Sequence, residues 1–249
     1  VGKIKYRMKL AHVLNYSNNS KEIENVVYLL ENPIELRFLS TKLLKDICFS
    51  DIVDPLKENR DVNVVAVSVP SPNPSEEDFL ELVEKALMLT DELNCNLLVL
   101  RPPKAKFTEE IREKLIEGHQ LATQYNITLC WENLFDSNRV FKNIEEAISF
   151  LNEEIFFNCG ISFDVKRVSE KRKTISEVLM HMGYIKLLRV PYIVFKKKRS
   201  NLYRLVKLLT KYDYRGIVVL YGKNASISEY NSAIKTIKEY LTTLKSITK

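Results

Sequence analysis

Histidine is scarce in this chain: there are three in 249 residues, His12, His119 and His181. A centre built from many imidazoles, such as a multi-zinc hydrolytic site, cannot be assembled from that inventory. Cysteine is nearly as sparse. Cys48, Cys95, Cys130 and Cys159 stand singly, without the close CxxC pairs that zinc or redox chemistry uses, and are expected to be buried thiols with no ligand or disulfide role. Glycine numbers only six. The first strand-like run is followed by LNYSNNS (14–20), where an open dinucleotide-binding sheet needs a GxGxxG turn, and this argues against that fold. Apolar runs are broken by charge well before the ~18 residues of a membrane helix, and the basic VGKIKYRMKL passes into polar sequence without a hydrophobic signal region. A soluble, cytoplasmic protein with no membrane partner is expected.

What is present suits one large core. Hydrophobic residues make up 45% of the chain and charged residues 28%, which favours a single domain over residues 1–249. β-Branched runs lie at 8–14, 34–40, 62–69, 95–101, 126–132, 159–164, 184–190 and 216–221. Amphipathic stretches lie between them at 20–32, 75–93 and 108–125, with another at 226–246. Several open on Ser or Thr with glutamates in the first turn, the signature of an N-cap and a compensated helix dipole. Strand centres recur every ~30 residues, the length of one β/α unit. Eight such units predict an α/β fold, a closed (β/α)8 TIM barrel of parallel strands.

In such a barrel, chemistry belongs to the carboxyl ends of the strands, and side chains alternate between interior and exterior. On strand five this parity turns Thr128, Cys130 and Glu132 inward and sends Trp131 out beneath the helices. On strand six it turns Gly160, Ser162 and Asp164 inward. Glu35 and Arg37 on strand two share the inward parity and read as a pair that neutralises itself. His12 on strand one is either an inward-facing proton carrier or, more simply, a packed and hydrogen-bonded core group.

IELRF on strand two, WEN on strand five, FDVKR on strand six and the unit spacing resemble the xylose isomerase-like TIM barrels, across nearly the whole chain. That superfamily holds sugar and sugar phosphate isomerases and epimerases together with AP endonucleases of the endonuclease IV type. The resemblance implies a divalent metal held by the glutamate closing strand five, the aspartate closing strand six, a histidine from strand seven and a glutamate from strand eight. Glu132 and Asp164 match. Arg189 stands at the histidine's place and Tyr221 at the second glutamate's. Arg101 and Arg167 stand where the endonuclease branch carries further histidines. Arginine offers no lone pair and keeps its proton, so it cannot ligate a metal, but it can place a fixed positive charge beside the acids. The expectation is a degenerate metal site with no required cofactor, at which Glu132 and Asp164 alone would hold Mg²⁺ or Mn²⁺ only weakly. The structural alternative is a network of ion pairs kept for packing.

The net charge of +6 and the sequence pI near 9.0 favour anionic partners, although a solvated lysine-rich surface carries the same signature. After strand eight, Gly222 permits close backbone approach, and Lys223 with the following helix start suits an anion. The reading is therefore a diverged, metal-independent isomerase- or epimerase-like protein that binds an anionic sugar or sugar phosphate. As an enzyme it would use Glu132 as base, Arg189 and Arg101 to stabilise an enediolate near Asp164, and Arg167 with Lys223 to hold a phosphate, with Tyr221, Gly222 and His12 lining the pocket. If Glu132 lies between two arginines it becomes a poor base. The alternative is an endonuclease-like barrel that binds nucleic acid without catalysis through Lys196, Lys197, Lys198 and Arg199, a run that also reads as a solvated loop. A silent scaffold in a protein complex is a third reading.

Overall fold

The computed structural model describes residues 8–17, 23, 27, 29–59, 62–74, 78–153, 158–167, 178, 180–191, 204, 207–222 and 226–247. Eight parallel strands follow one another in chain order as a closed barrel. They are β1 (Lys9–Tyr16), β2 (Ile34–Phe38), β3 (Val64–Val69), β4 (Leu97–Leu100), β5 (Thr128–Glu132), β6 (Cys159–Asp164), β7 (Ile185–Pro191) and β8 (Ile217–Tyr221). This is the (β/α)8 architecture that the unit spacing predicts. Among the described residues the longer helices are α1 (Thr41–Asp46), α2 (Ser50–Glu58), α3 (Phe79–Glu92), α4 (Glu109–Gln124), α5 (Ile144–Glu153) and α6 (Ile227–Ile247). None of the described helices is long and apolar enough to cross a membrane.

The strands fall within two residues of their predicted bounds, and β6 matches them. The late starts of β4 and β5 have a common cause. Helix α3 ends with Asn94 at φ 51°, its N–H bonded to the Asp91 carbonyl (2.7 Å), while Cys95 N–H reaches back to Thr90 (3.0 Å). Helix α4 ends the same way, with Asn126 at φ 55° bonded to Thr123 (3.0 Å) and Ile127 bonded to Ala122 (2.9 Å). The turn before β8 repeats the pattern with Asp213 at φ 50°, Asp213 to Thr210 and Tyr214 to Leu209. These are Schellman endings, in which a left-handed residue lets two N–H groups close the last open carbonyls of the helix. A glycine-poor chain puts Asn and Asp at that position, the residues other than Gly that tolerate it best. Cys95 and Ile127 are thereby committed to the helix ends, and the ladders begin later.

Starts are equally local in origin. The Thr108 hydroxyl accepts from Ile111 N (3.3 Å) ahead of the first-turn acids Glu109 and Glu110 of α4. Before α6, Ser226 and Glu229 form a reciprocal capping box: Glu229 N donates to the Ser226 hydroxyl (3.2 Å) and Ser226 N to the Glu229 carboxylate (3.0 Å).

The chain divides into two compact units, Val13–Ser162 and Val1–His12 with Phe163–Lys249. In the first, β2 to β5 pair in parallel, and Leu36, Val67, Leu98 and Leu129 are buried along them. Helix α3 lies against α4 and against β3 and β4. In the second, β7 and β8 pair from Leu187↔Ile217 to Pro191↔Tyr221, and β8 also pairs with the start of β1. Gly216, just ahead of β8, sits where a side chain has no room, since an added Cβ would lie 2.6 Å from the Lys186 carbonyl oxygen. Two cysteines depart from expectation. Cys95 and Cys130 are buried, but Cys48 is exposed in the turn between α1 and α2, its Sγ 3.0 Å from the Ser50 hydroxyl, and Cys159 is half-buried at the start of β6; all four are free thiols.

Candidate functional site

In the unit Val13–Ser162, the orientation of β5 is set from outside the barrel. Trp131 is buried among Phe141 and His119 and donates its indole N–H to His119 Nε2 at 3.1 Å. Alternation then turns its neighbours Cys130 and Glu132 to the opposite face. The chain turns at once after Glu132, with Leu134 N bonded to the Glu132 carbonyl (2.7 Å), so the carboxylate stands at the carboxyl end of its strand.

Two guanidiniums meet that carboxylate, one on each oxygen. Arg37 Nη2 lies 3.2 Å from Oε1, and Arg101 Nε lies 3.1 Å from Oε2. The exposure of the three side chains is graded: 2% for Glu132, 14% for Arg37 and 30% for Arg101. Arg101 follows β4 directly, where it was expected. Arg37 was expected to pair with Glu35 and does not. Glu35 is fully buried and accepts the hydroxyl of Ser68 from β3, while Arg37 reaches Glu132, 95 positions away in sequence. The two groups share a parity but not a height. Arg37 is the site residue that sequence reasoning missed, and the available signal was its place near the end of β2, level with strand-end groups.

In the unit containing Phe163–Lys249, Asp164 closes β6 and is buried. Its Oδ1 accepts the Tyr221 phenol (2.7 Å) and the Lys166 backbone N–H (2.9 Å), the latter in a 3-10 turn over Val165–Arg167. Arg189 lies on β7 in register with Val219 and has 0% of its surface exposed. Gly222 is engaged through its carbonyl, which accepts the Tyr230 hydroxyl (3.2 Å). His12 is buried at mid-strand rather than at a strand end, and its ring stacks on Tyr230 of α6, with centroids 5.1 Å apart and planes at 8°. This is the packed arrangement, with the ring against a helix. The Arg167 side chain, Lys223, and Lys196, Lys197, Lys198 and Arg199 lie outside the described residues.

Taken unit by unit, the residues present are poor donors for the metal that the family resemblance implies. In the first unit both Glu132 oxygens face guanidinium N–H groups; in the second, Arg189 offers no lone pair and the Tyr221 hydroxyl hydrogen-bonds Asp164. Among the described residues, no three or more His, Cys, Asp or Glu side chains gather so as to hold a metal ion. In the first unit the two arginines present planar forks of donors, a geometry that matches carboxylates and phosphates. Buried His119 has its pKa lowered from the ordinary 6.5 to about 3, because desolvation penalises the imidazolium.

Fold and site together define a (β/α)8 barrel whose strand five ends in a carboxylate bracketed by arginines. Its structure is similar to those of two sugar 3-epimerases and of a xylose isomerase domain-containing protein. A D-psicose 3-epimerase from Clostridium cellulolyticum H10, solved with D-tagatose, shares 14% identity over 94% of this chain and 99% of that one, with a TM-score of 0.69. An L-ribulose 3-epimerase shares 13% identity over 97% of each chain, with a TM-score of 0.72. A xylose isomerase domain-containing protein from Salmonella typhimurium LT2 shares 16% identity over 97% of this chain and 100% of that one, with a TM-score of 0.66. At these identities the likeness is one of fold. No protein-family model and no curated protein sequence matches the chain.

Proposed function

We propose that this protein is a diverged isomerase- or epimerase-like barrel that binds an anionic sugar or sugar phosphate at the carboxyl ends of its strands, without a divalent ion. The observation that carries the reading is the placing of Arg37 and Arg101 on the two oxygens of Glu132. Two guanidiniums from separate segments stand on either side of this one acid, a setting that favours an anionic ligand. Among the described residues Arg37 engages only through Nη2, and a guanidinium has five N–H donors, so donors remain for a ligand. The sugar epimerase folds named above support the choice of a polyhydroxylated ligand over other anions. A cytoplasmic setting, where sugar phosphates are met, belongs to the same proposal.

Glu132 serves this site as an anchor. A carboxylate held by two guanidiniums is stabilised in its charged form and is a weak base for a proton next to a carbonyl. It orients both arginines, which is the work a metal ligand would otherwise share with the ion. Asp164 is similarly committed, since its Oδ1 takes a phenol and a backbone N–H.

The test is a thermal-shift and calorimetric comparison of D-ribulose 5-phosphate with D-ribulose, in the presence of EDTA. The phosphate ester should bind at least about tenfold more tightly than the free sugar, and Arg37→Ala or Arg101→Ala should remove that preference. Absence of binding by anionic sugars, or binding that appears only with added Mn²⁺, would sink the proposal.

A further inference from the structure

Arg101 is followed by two prolines, Pro102 and Pro103, which have no backbone N–H with which to fix the chain. Their carbonyls are taken instead by the loop after β5. Arg139 Nη1 donates to the Pro102 carbonyl (2.5 Å), and Val140 N donates to the Pro103 carbonyl (3.1 Å). Arg139 is itself held. Its Nε lies 3.0 Å from Asp136 Oδ2, its own N–H bonds the Asp136 carbonyl (3.1 Å), and Asp136 Oδ1 accepts from Asn138 N (2.8 Å). Only 11% of the Arg139 side chain is exposed, against 45% for Asp136.

From this geometry we infer that Arg139 is a positioning residue for Arg101: it clamps the backbone immediately after Arg101 and so sets the Nε of that residue on Glu132. The chain of contacts is continuous. Asp136 orients the Arg139 fork, the fork fixes the Pro102 carbonyl one residue beyond Arg101, and Arg101 reaches Glu132 Oε2 at 3.1 Å. The clamp matters because Arg101 is the more exposed of the two arginines and lies just past Leu100, the last residue of β4. Arg37 lies within β2 and needs no such support. The loop after β5 thus sets the side chain that follows β4 onto the acid that closes β5.

The experiment reads the hydrogen bond directly, by the ¹H–¹⁵Nε resonance of Arg101, assigned through its loss in Arg101→Lys. In the wild type this N–H should exchange slowly with water. Arg139→Met keeps the buried stem and removes the donors; it should speed that exchange at least about tenfold while the rest of the spectrum persists. Arg139→Ala should do the same, Arg139→Lys should fall between, and Arg215→Ala, at an exposed pair with Asp213, should change nothing. An unchanged Arg101 signal in folded Arg139→Met or Arg139→Ala overturns the inference. A second arm rests on the anionic-sugar reading: the Kd for D-ribulose 5-phosphate should rise roughly tenfold in Arg139→Met, with no further loss when Arg139→Met is added to Arg101→Ala. Failure of the wild type to bind the sugar phosphate would defeat that reading and leave the resonance to decide the role of Arg139.

Discussion

At Glu132 a carboxylate with 2% of its side chain exposed is compensated from two sides, by Arg37 on β2 and by Arg101 just after β4. Removing a member of a buried charge cluster costs more than the pairing itself was worth, because the remaining charges stay desolvated without their counterpart. Glu132→Ala should therefore lower stability by roughly 3 kcal/mol in urea unfolding, since it leaves Arg37 and Arg101 facing each other. His119 makes the opposite kind of statement. Its folded pKa of about 3 lies below the unfolded value of 6.5, so below pH 6.5 the unfolded chain takes up a proton that the folded chain refuses. Its contribution is complete above pH 6.5 and is lost progressively as pH falls toward 3, at no more than about 1.4 kcal/mol per pH unit. His119→Gln, which keeps an acceptor for the Trp131 indole, should flatten the measured stability between pH 4.5 and 6 by about that slope.

The three Schellman endings show how a chain with six glycines builds helix-to-strand turns. A β-carbon in the left-handed region costs on the order of 1 kcal/mol unless the side chain can bond locally, which is why Asn and Asp recur there. Asn126→Ala should destabilise by about 1 kcal/mol, and Asn126→Gly should stay within about 0.5 kcal/mol of the parent, in matched denaturant titrations. Gly216 is required for a different reason, namely close approach of backbone across the β7–β8 pair. Gly216→Ala would push a methyl group against the Lys186 carbonyl and should cost about 2 kcal/mol, seen as a fall in Tm with retained secondary structure. Both effects arise in turns, where the sequence carries its strongest local signals.

For the protein as a whole, ligand binding is the most direct lever on stability. If an anionic sugar occupies the arginine site, a concentration of 100 times its Kd should add about 2.7 kcal/mol to unfolding, and EDTA should leave that gain intact. Micromolar Mn²⁺ or Zn²⁺ alone should produce no comparable rise in Tm. A marked rise would show that the donor set accepts a metal after all.

The strand count and the barrel were legible in the residues, because alternation, unit spacing and helix caps are properties of neighbours in sequence. Even the misplaced strand starts at Cys95 and Asn126 were errors of turn chemistry within a few positions. The partner of Arg37 was not legible. Glu35 stands two residues away and Glu132 stands 95 away, and only the folded chain brings the distant acid into reach. The grip of Arg139 on Pro102 and the stacking of His12 on Tyr230 belong to the same class. Side-chain direction follows from local geometry, but side-chain partnership follows from register between strands and from loops that fold back, and these exist only once the tertiary structure has formed.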